Sequence, residues 1–200
     1  AMKLDGASSG LILIGFLINA ASTPVSAWLP DAYPEASWSG TVFLSAFTTK
    51  TAVYALIRGF PGTELLVWLG LAMAFYGIVY ALLENDMRRL LAYSIVNQGG
   101  FMIAGIGIGT ELALNGAAAQ AVSGIIYVAL LLMAAGAVLR MTGKRKCSEL
   151  GGLFRSMPLT AFCATIAALA TSAFPFTAGF VTKAMIAQAA ADSGLLWVWL

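Results

Sequence analysis

Two lysines stand inside long apolar segments of this 200-residue sequence, and an amine in that position can take up and release a proton. Lys50 lies in the apolar run that follows Ser37, and Lys183 lies in the run that follows Pro175. At about 1.5 Å per helical residue, Lys50 is roughly 20 Å from the Ser37 end of its helix and 12 Å from the Arg58 end. This spacing places the ammonium group at membrane depth.

Lys50 has two interpretations. A lysine at the centre of a bilayer costs on the order of 2.5 to 3.5 kcal/mol, so either its stem reaches an interface or it has a function at depth. Roughly 12 Å is more than a lysine side chain comfortably spans, which favours a functional amine that faces a polar interior. To exchange protons, that amine has to change charge near neutral pH. Thr48, Thr49 and Thr51 are candidates to line a hydrated pocket beside it.

Lys183 follows a pattern that is typical of a broken helix. Pro175, Thr177 and Gly179 interrupt the apolar run just before the lysine. Broken helices at membrane depth are tolerated where they line a cavity or are covered by protein. The alternative is a lysine at the far end of a helix that stops at Phe174.

Three more polar residues in one helical segment are candidates for a polar path. Arg88 lies in the charged cluster that opens this segment, and Asn97 and Gln98 follow it, next to Gly99 and Gly100. Amides and small residues also hold neighbouring membrane helices together, and loop arginines also set topology. Both interpretations stay open for the amides and for the arginine.

The composition identifies the class of protein. The chain is 60% hydrophobic and 10% charged, whereas soluble domains carry about 25% charged residues. Apolar stretches of about 20 residues alternate with short polar turns, which predicts an all-α, polytopic transmembrane helical bundle with discontinuous helices. The sequence contains no histidine, the usual group for proton transfer near neutral pH, and its two cysteines lack metal-ligand spacing. We therefore expect no metal and no cofactor.

The apolar runs also predict where the helices lie. Helices are expected at about 8–29, 37–58 and 64–83, then from the charged cluster ENDMRR onward, at 114–141, and from Pro158 into Pro175. Pro24 should kink the first helix, and the proline-bounded WLPDAYPEA is expected to form a turn. Residues 1–200 are expected to form one transmembrane domain of about six to seven helices. Because LLWVWL resembles the start of another span, the chain is expected to be a fragment.

The basic residues predict the orientation in the membrane. They concentrate in 140–157, which the positive-inside rule places on the cytoplasmic side. By alternation, WLPDAYPEA and ENDMRR lie on that side too, which brings seven basic residues there against Lys3 and Arg58 on the other side. The N-terminus is then expected to face the exterior.

Five motifs together resemble a known family. In chain order they are WLPDAYPEA, K-T-A-x-Y-x-L-x-R, D-x-R-R-L-L-A-Y-S, G-G-L-x-x-x-M-P and F-P-x-x-x-G-F-x-x-K. Their order and spacing resemble the proton-conducting, antiporter-like membrane subunits of Mrp-type sodium/proton antiporters, those of the D type above all, and of respiratory NADH:quinone oxidoreductase. The resemblance covers nearly the whole chain.

This resemblance implies a fold with inverted repeats, two broken helices and a row of charged residues that passes protons along the membrane midplane. It places Lys50 on the first broken helix of this region and Lys183 on the second, with residues from Arg88 to Gln98 near the connecting position. The family's glutamate that pairs with the first lysine lies upstream and has no counterpart in this chain.

The chain departs from the family pattern at several positions. Ser26 stands where the family often has a histidine. In the fifth span, where relatives carry histidines and a central lysine, this chain has Gln120, Gly124 and Val128. Since valine cannot carry a proton, a hydrated gap would have to replace these groups.

The resemblance implies proton translocation, or Na+/H+ exchange, by a subunit of a multisubunit complex in the bacterial inner membrane. The expected partners are other membrane subunits, lipid, protons and Na+, and no nucleic acid. The residues expected to take part are Lys50, Lys183, Arg88, Gln98 and Asn97. The alternative is a non-conducting structural or altered subunit that keeps the fold. Any oxidoreductase activity would reside in partner subunits, since no haem, flavin, iron–sulfur or quinone signature is present.

Overall fold

The structure is a computed structural model that describes residues 6–195 as helices joined by short turns. The α-helices in this part of the chain are α1 Ala7–Asn19, α2 Trp28–Glu35, α3 Trp38–Gly59, α4 Glu64–Leu83, α5 Met87–Ile108, α6 Glu111–Thr142, α7 Leu153–Ser156, α8 Pro158–Thr171 and α9 Ala178–Asp192. Two short 3-10 turns lie at Val25–Ala27 and Cys147–Glu149. Lys3 and residues 196–200 of the predicted further span lie outside the described residues.

Four helices, α3 to α6, are long and apolar enough to cross a membrane, and α1 and α8 are shorter apolar helices. α5 is the most buried of the four and packs against α4, α6, α3 and α2. Ser37 caps α3, since its hydroxyl accepts the backbone N–H of Gly40 at 3.1 Å. The all-α, multi-span architecture expected from the sequence is therefore confirmed.

The predicted first helix at 8–29 is wrong in its second half. α1 ends at Asn19, the chain turns over residues 20–24, and WLPDAYPEA is mostly helical rather than a turn, because α2 covers its first eight residues. Pro30 lies in the first turn of α2, where a missing N–H costs nothing. Pro34 is next to the last helical residue, so it removes one hydrogen bond at most.

Burial of apolar side chains explains why α2 forms despite its prolines. Leu29 and Tyr33 are 0% and 1% exposed, and Pro30 and Pro34 are buried beside them. Trp28 at the start of α2 donates from Nε1 to the carbonyl oxygen of Ile18 in α1 at 3.1 Å, which ties the two helices together. Tertiary packing thus overrides the local preference of the prolines.

A second interruption separates α8 from α9. Residues 172–177 leave the helical path, and Ala173 and Phe176 adopt positive φ angles of 59° and 68°. The discontinuous helix predicted before Lys183 is present. The placement of Lys50 on a broken helix is wrong, because α3 runs without interruption from Trp38 to Gly59 and contains no proline.

Glycines allow α4 and α5 to pack with their backbones in contact. A Cβ added to Gly100 would lie 2.5 Å from the carbonyl oxygen of Gly70 and 2.6 Å from the amide nitrogen of Ala74. A Cβ added to Gly77 would lie 2.5 Å from the amide nitrogen of Asn97. Small residues serve this purpose in membrane helices, where close van der Waals packing drives association.

Three charged segments lie together at one end of the bundle, namely WLPDAYPEA, ENDMRR and residues 140–157. Residues 85–87 pair with residues 145–148, as shown by hydrogen bonds from Met87 N to Arg145 O at 3.0 Å and from Cys147 N to Asn85 O at 2.8 Å. Arg145 also forms an ion pair with Glu35 in α2 at 3.0 Å. The prediction that these segments share one side is confirmed, and we call this surface the charged end.

Candidate functional site

Lys50 is buried in the interior of α3, with 8% of the residue exposed. Its Nζ donates to the carbonyl oxygen of Ser45 at 2.9 Å, one turn closer to the Ser37 end of the helix. The ammonium group therefore points away from the nearer end at Arg58. This geometry contradicts the interpretation that the stem reaches that interface, and it leaves a buried amine with a backbone partner.

An open cavity of about 280 Å³ lies beside Lys50, between α3 and α6, and it faces the outside of the bundle, where Phe47, Tyr54 and Val122 are exposed. The residues that line it are Ala46, Phe47, Lys50, Thr51, Val53, Tyr54, Ile57, Ala118, Ala121, Val122 and Ile125. Of the three threonines predicted to line a pocket here, Thr51 does so and Thr48 and Thr49 do not. The Thr49 hydroxyl is buried without a hydrogen-bond partner among the described residues.

Lys183 lies in the second turn of α9 and is half-buried. Its Nζ donates at 2.8 Å to the carbonyl oxygen of Thr171, the last residue of α8, and lies 5.3 Å from the ring centroid of Phe101. Both contacts favour a cation, one through the negative end of the α8 dipole and the other through the aromatic ring. Lys183 therefore joins the two halves of the broken helix.

The close approach of α9 to α8 depends on Gly179. A Cβ at this position would overlap the carbonyl oxygen of Ala170. A second cavity, of about 90 Å³, lies beside Lys183 between α4, α5 and α9. Its lining residues are Gly70, Leu71, Ala74, Gly100, Phe101, Ala104, Lys183, Ile186, Ala187 and Ala190. Each lysine thus has its own cavity.

A chain of buried polar side chains crosses from α9 through α6 to α5, and we call it the polar bridge. The Thr182 hydroxyl donates to Gln120 Oε1, and Gln120 Nε2 donates to the Tyr127 hydroxyl at 2.7 Å. The Tyr127 hydroxyl donates to Gln98 Oε1 at 2.8 Å. Between 0% and 5% of each of these four residues is exposed.

Every hydrogen bond in the polar bridge points the same way. The donors run from Thr182 toward α5, where Gln98 Nε2 lies 3.5 Å from the Ser94 hydroxyl. The Thr182 hydroxyl also lies 3.1 Å from the Ala178 carbonyl oxygen, but its single proton serves one acceptor at a time. The bridge is uncharged, because amides do not titrate and the phenol of tyrosine keeps its proton at neutral pH.

Gly124 and Val128, which stand where the resemblance implied titratable groups, flank this bridge in different ways. A Cβ at Gly124 would lie 3.6 Å from the Tyr127 hydroxyl and 3.8 Å from Gln98 Oε1. Val128 is 3% exposed and packs in the hydrophobic core. The middle of α6 is therefore occupied by a closed polar network rather than by an evident hydrated gap.

Asn97 and Gln98 face different neighbours although they are adjacent in the sequence. Asn97 Nδ2 donates to the carbonyl oxygen of Ala74 in α4 at 2.8 Å, which is the contact expected of an interhelical amide. Gln98 belongs to the polar bridge on the α6 side. The structure therefore places Gln98 in contact with Tyr127 of α6, and Asn97 in the interface with α4.

Arg88 lies at the charged end rather than beside the lysines. It is 6% exposed, and its guanidinium donates to the carbonyl oxygens of Tyr33 at 3.3 Å and Ala36 at 2.9 Å and to the Thr41 hydroxyl. These acceptors lie at the end of α2 and the start of α3. Arg88 thus holds α2 against α5, and its role as a proton-path residue stays a prediction.

Arg145 connects the loop after α6 to two other elements. Its guanidinium lies 3.0 Å from Glu35 in α2 and 3.0 Å from Asp86, which caps α5. The hydrogen bond to the Glu35 carboxylate raises the pKa of Arg145, with a further contribution from the negative charge of Asp86. Burial raises the pKa of the neighbouring Tyr33 phenol to about 12. Both groups keep their protons at any physiological pH.

Sequence reasoning found both lysines but not the polar bridge. Gln120 and Tyr127 were visible as polar residues seven positions apart, a spacing that puts them on the same face of α6. Thr182 gave no signal of its own, because threonine is common in membrane helices and the adjacent lysine is the stronger feature. Gln98 was already a candidate for a polar path, and the spacing of Gln120 and Tyr127 is the further sequence signal that could have indicated the bridge.

Comparison with known proteins gives a consistent family match. Residues 5–200 match the model of the family described as NADH:quinone oxidoreductase/Mrp antiporter, TM. The chain is 33% identical, over 94% of its length, to NADH-quinone oxidoreductase subunit N of Desulforudis audaxviator, and it covers 40% of that protein. It is 32% identical, over 90% of its length, to the D-type subunit of the Na(+)/H(+) antiporter of Alkalihalophilus pseudofirmus, of which it covers 38%.

The fold is also similar to a solved structure. A chain in the structure of the Mrp complex from Dietzia sp. DQ12-45-1b superposes with a TM-score of 0.92 at 29% identity, over 96% of this chain and 38% of that one. The present chain therefore spans less than half the length of the relatives it matches.

Proposed function

The chain belongs to the NADH:quinone oxidoreductase/Mrp antiporter transmembrane family, and from this we propose that it translocates protons as one subunit of a multisubunit membrane complex. The family predicted from the sequence motifs is thereby confirmed. The protein is a multi-pass membrane protein, and we place it in a bacterial inner membrane with the charged end on the cytoplasmic side. Its partners are other membrane subunits and lipid.

One observation carries this proposal. Two amines lie inside the helical bundle, each beside its own cavity and each bonded to a backbone carbonyl oxygen. Ionisable groups at membrane depth are costly, and they usually mark ion pathways. In our proposal Lys50 and Lys183 accept and release protons, and Arg88, Asn97 and Gln98 on α5 contribute to the same path.

Exchange of Na+ against H+ is the finer form of the proposal. It is supported by the similarity to a subunit of a Na(+)/H(+) antiporter. Proton flux measured with and without an opposing Na+ gradient distinguishes exchange from simple proton translocation. A flux that does not respond to the Na+ gradient would contradict Na+/H+ exchange and would support proton translocation without a counter-ion.

The two lysines provide the test. In proteoliposomes that contain the intact membrane complex, we expect Lys50→Ala and Lys183→Ala each to reduce proton flux by about tenfold or more, because each removes a protonatable group at depth. Lys144→Ala is the matched control, since this lysine lies exposed in the loop after α6. The measurement is the quenching of a pH-sensitive dye after a gradient is imposed.

The second candidate function is a structural subunit that keeps the fold but does not conduct. The uncharged polar bridge favours it, because this network occupies the middle of α6 where the resemblance implied titratable groups. Unchanged flux in both lysine variants would overturn the first proposal and leave this one. A loss of flux in either variant, with the Lys144 control unaffected, would overturn the structural alternative.

A further inference from the structure

The polar bridge does not line either cavity that contains a lysine. The Lys50 cavity is bounded by α3 and by α6 residues such as Ala118, Val122 and Ile125, whereas the Lys183 cavity is bounded by α4, α5 and α9. The bridge joins α9, α6 and α5 through side chains that are at most 5% exposed. Helix α6, which carries Gln120 and Tyr127, packs against α3 with Lys50 and against α9 with Lys183, so these two bridge residues lie on the helix that connects the two lysine-bearing helices.

We propose that the Gln98–Tyr127–Gln120–Thr182 bridge is a neutral barrier between the two lysine cavities, and that proton exchange between them requires the bridge to open. This inference rests on the proposed function, since it concerns the same two lysines. It assigns to Tyr127 a role in positioning: the phenol holds two amides together and keeps water out. The ammonium groups of Lys50 and Lys183 donate to backbone carbonyl oxygens outside the bridge.

The chemistry of the network explains why it acts as a barrier and not as a relay. A side chain relays a proton when it can accept one at one atom and release one from another. Glutamine does so poorly, since its oxygen accepts and its nitrogen donates but neither changes charge near neutral pH. Two glutamines stand in series in the bridge, on either side of Tyr127. The closed bridge therefore offers no continuous route.

The same bonds explain why the bridge can open. All the groups are uncharged, and a neutral hydrogen bond contributes only about 0.5 to 1.5 kcal/mol net, because water can replace the partner. Gly124 has no side chain that could fill the space beside the Tyr127 hydroxyl. A Cβ at position 124 would lie 3.6 Å from that hydroxyl. Water that enters beside Gly124 can bond to both amides and complete a hydrated connection.

The test is Tyr127→Phe in the intact membrane complex. Phenylalanine keeps the ring but removes both bonds that the hydroxyl makes, so the closed state loses stability relative to the hydrated state. We expect proton flux in proteoliposomes to rise by about threefold to tenfold, the change in an equilibrium constant that corresponds to one neutral hydrogen bond. Tyr80→Phe is the matched control, because Tyr80 lies in α4 and is no part of the bridge.

A second variant keeps the test decisive if the first does not fold. Thr182→Val removes the donor to Gln120 Oε1 with little change in shape, and we expect a smaller rise in flux. Thermal unfolding in detergent shows whether each variant is folded. A fall in flux in the folded variants would overturn the barrier and identify Tyr127 as a relay. Unchanged flux would overturn it as well, since the bridge then does not limit exchange.

The lysine variants separate this inference from the function on which it rests. If Lys50→Ala and Lys183→Ala reduce the flux while Tyr127→Phe and Thr182→Val leave it unchanged, translocation stands and the barrier fails. If the lysine variants leave the flux unchanged, translocation through them fails, and the barrier between them fails with it.

Discussion

At the scale of single residues, Lys50 and Lys183 have the same kind of hydrogen-bond partner. Each ammonium group donates to a backbone carbonyl oxygen, Lys50 within its own helix and Lys183 across a helix break. A carbonyl carries a dipole but no titratable charge. Loss of the proton from the amine therefore leaves no unpaired carboxylate behind at that contact, and this makes the contact compatible with a group that changes charge.

A histidine at position 120 would place a titratable group in the middle of α6. We expect Gln120→His to raise proton flux by about tenfold, equivalent to lowering the barrier by about 1.4 kcal/mol, because an imidazole changes charge near neutral pH. Gln188→His is the matched control, since Gln188 is exposed on α9 and bonds to Asp192. Flux through the reconstituted complex is the measurement.

The same reasoning applies to a fuller restoration with Gly124→His and Val128→Lys. A side chain at position 124 would point toward the Tyr127 hydroxyl and Gln98 Oε1. An imidazole there would therefore have to displace one of these two groups from the bridge. No increase in flux for Gln120→His, alone or combined with these changes, would count against a limiting step in the middle of α6.

At the scale of helices, the contact between α4 and α5 is the least tolerant part of the bundle. Gly70, Gly77 and Gly100 let the two backbones touch, and α5 in turn carries Gln98 toward α6. A larger residue on either helix pushes α5 away from α4 and shifts the bridge and the Lys183 cavity with it. Packing in this pair is thus connected to the position of the site.

The prediction for this interface concerns stability. We expect Gly100→Ala to destabilise the protein by about 1 to 3 kcal/mol, because the added methyl meets backbone atoms that cannot move aside. Gly15→Ala in α1 is the matched control, since a Cβ there has nothing within 4 Å. Thermal unfolding followed by circular dichroism compares the two. Equal midpoints for both variants would show that the backbones can separate without loss.

At the scale of the whole molecule, the charged end fastens together segments that are far apart in the sequence. Arg145 binds Glu35 in α2 and Asp86 before α5, while Arg88 bonds to the end of α2 from within the bundle. The short helix α2 has no long apolar span of its own, so these contacts and its buried Leu29 and Tyr33 fix its position. The contacts of the charged end therefore fix the position of α2 after the break that separates it from α1.

We expect Arg145→Gln to loosen α2 while the bundle stays folded. Its ion pairs are partly exposed, and such pairs contribute about 1 kcal/mol at most, so backbone amides in 28–36 should exchange with deuterium about fivefold faster. Because salt screens these charges, the difference should shrink at high ionic strength. Lys144→Gln changes the neighbouring charge in the same loop and serves as the control. Equal exchange in the two variants would contradict the role of Arg145.

Sequence patterns predicted the parts of this molecule that depend on local composition. The lengths of α3 to α6 follow from apolar runs bounded by polar turns, and the two lysines stood out because charge is rare in such runs. α2 was missed, because prolines discourage a helix locally and the burial that offsets them is tertiary. The polar bridge was missed because its bonds join three helices, and no pattern along one helix specifies which partner an amide will meet.

The bond from Lys183 to Thr171 connects chemistry to mechanics. A hydrogen bond from a charged donor is roughly twice as strong as one from a neutral donor, so the protonated lysine pulls the end of α8 and the start of α9 together more firmly than the neutral amine does. In the proposed function, release of a proton from Lys183 would therefore weaken this link between α8 and α9 across residues 172–177.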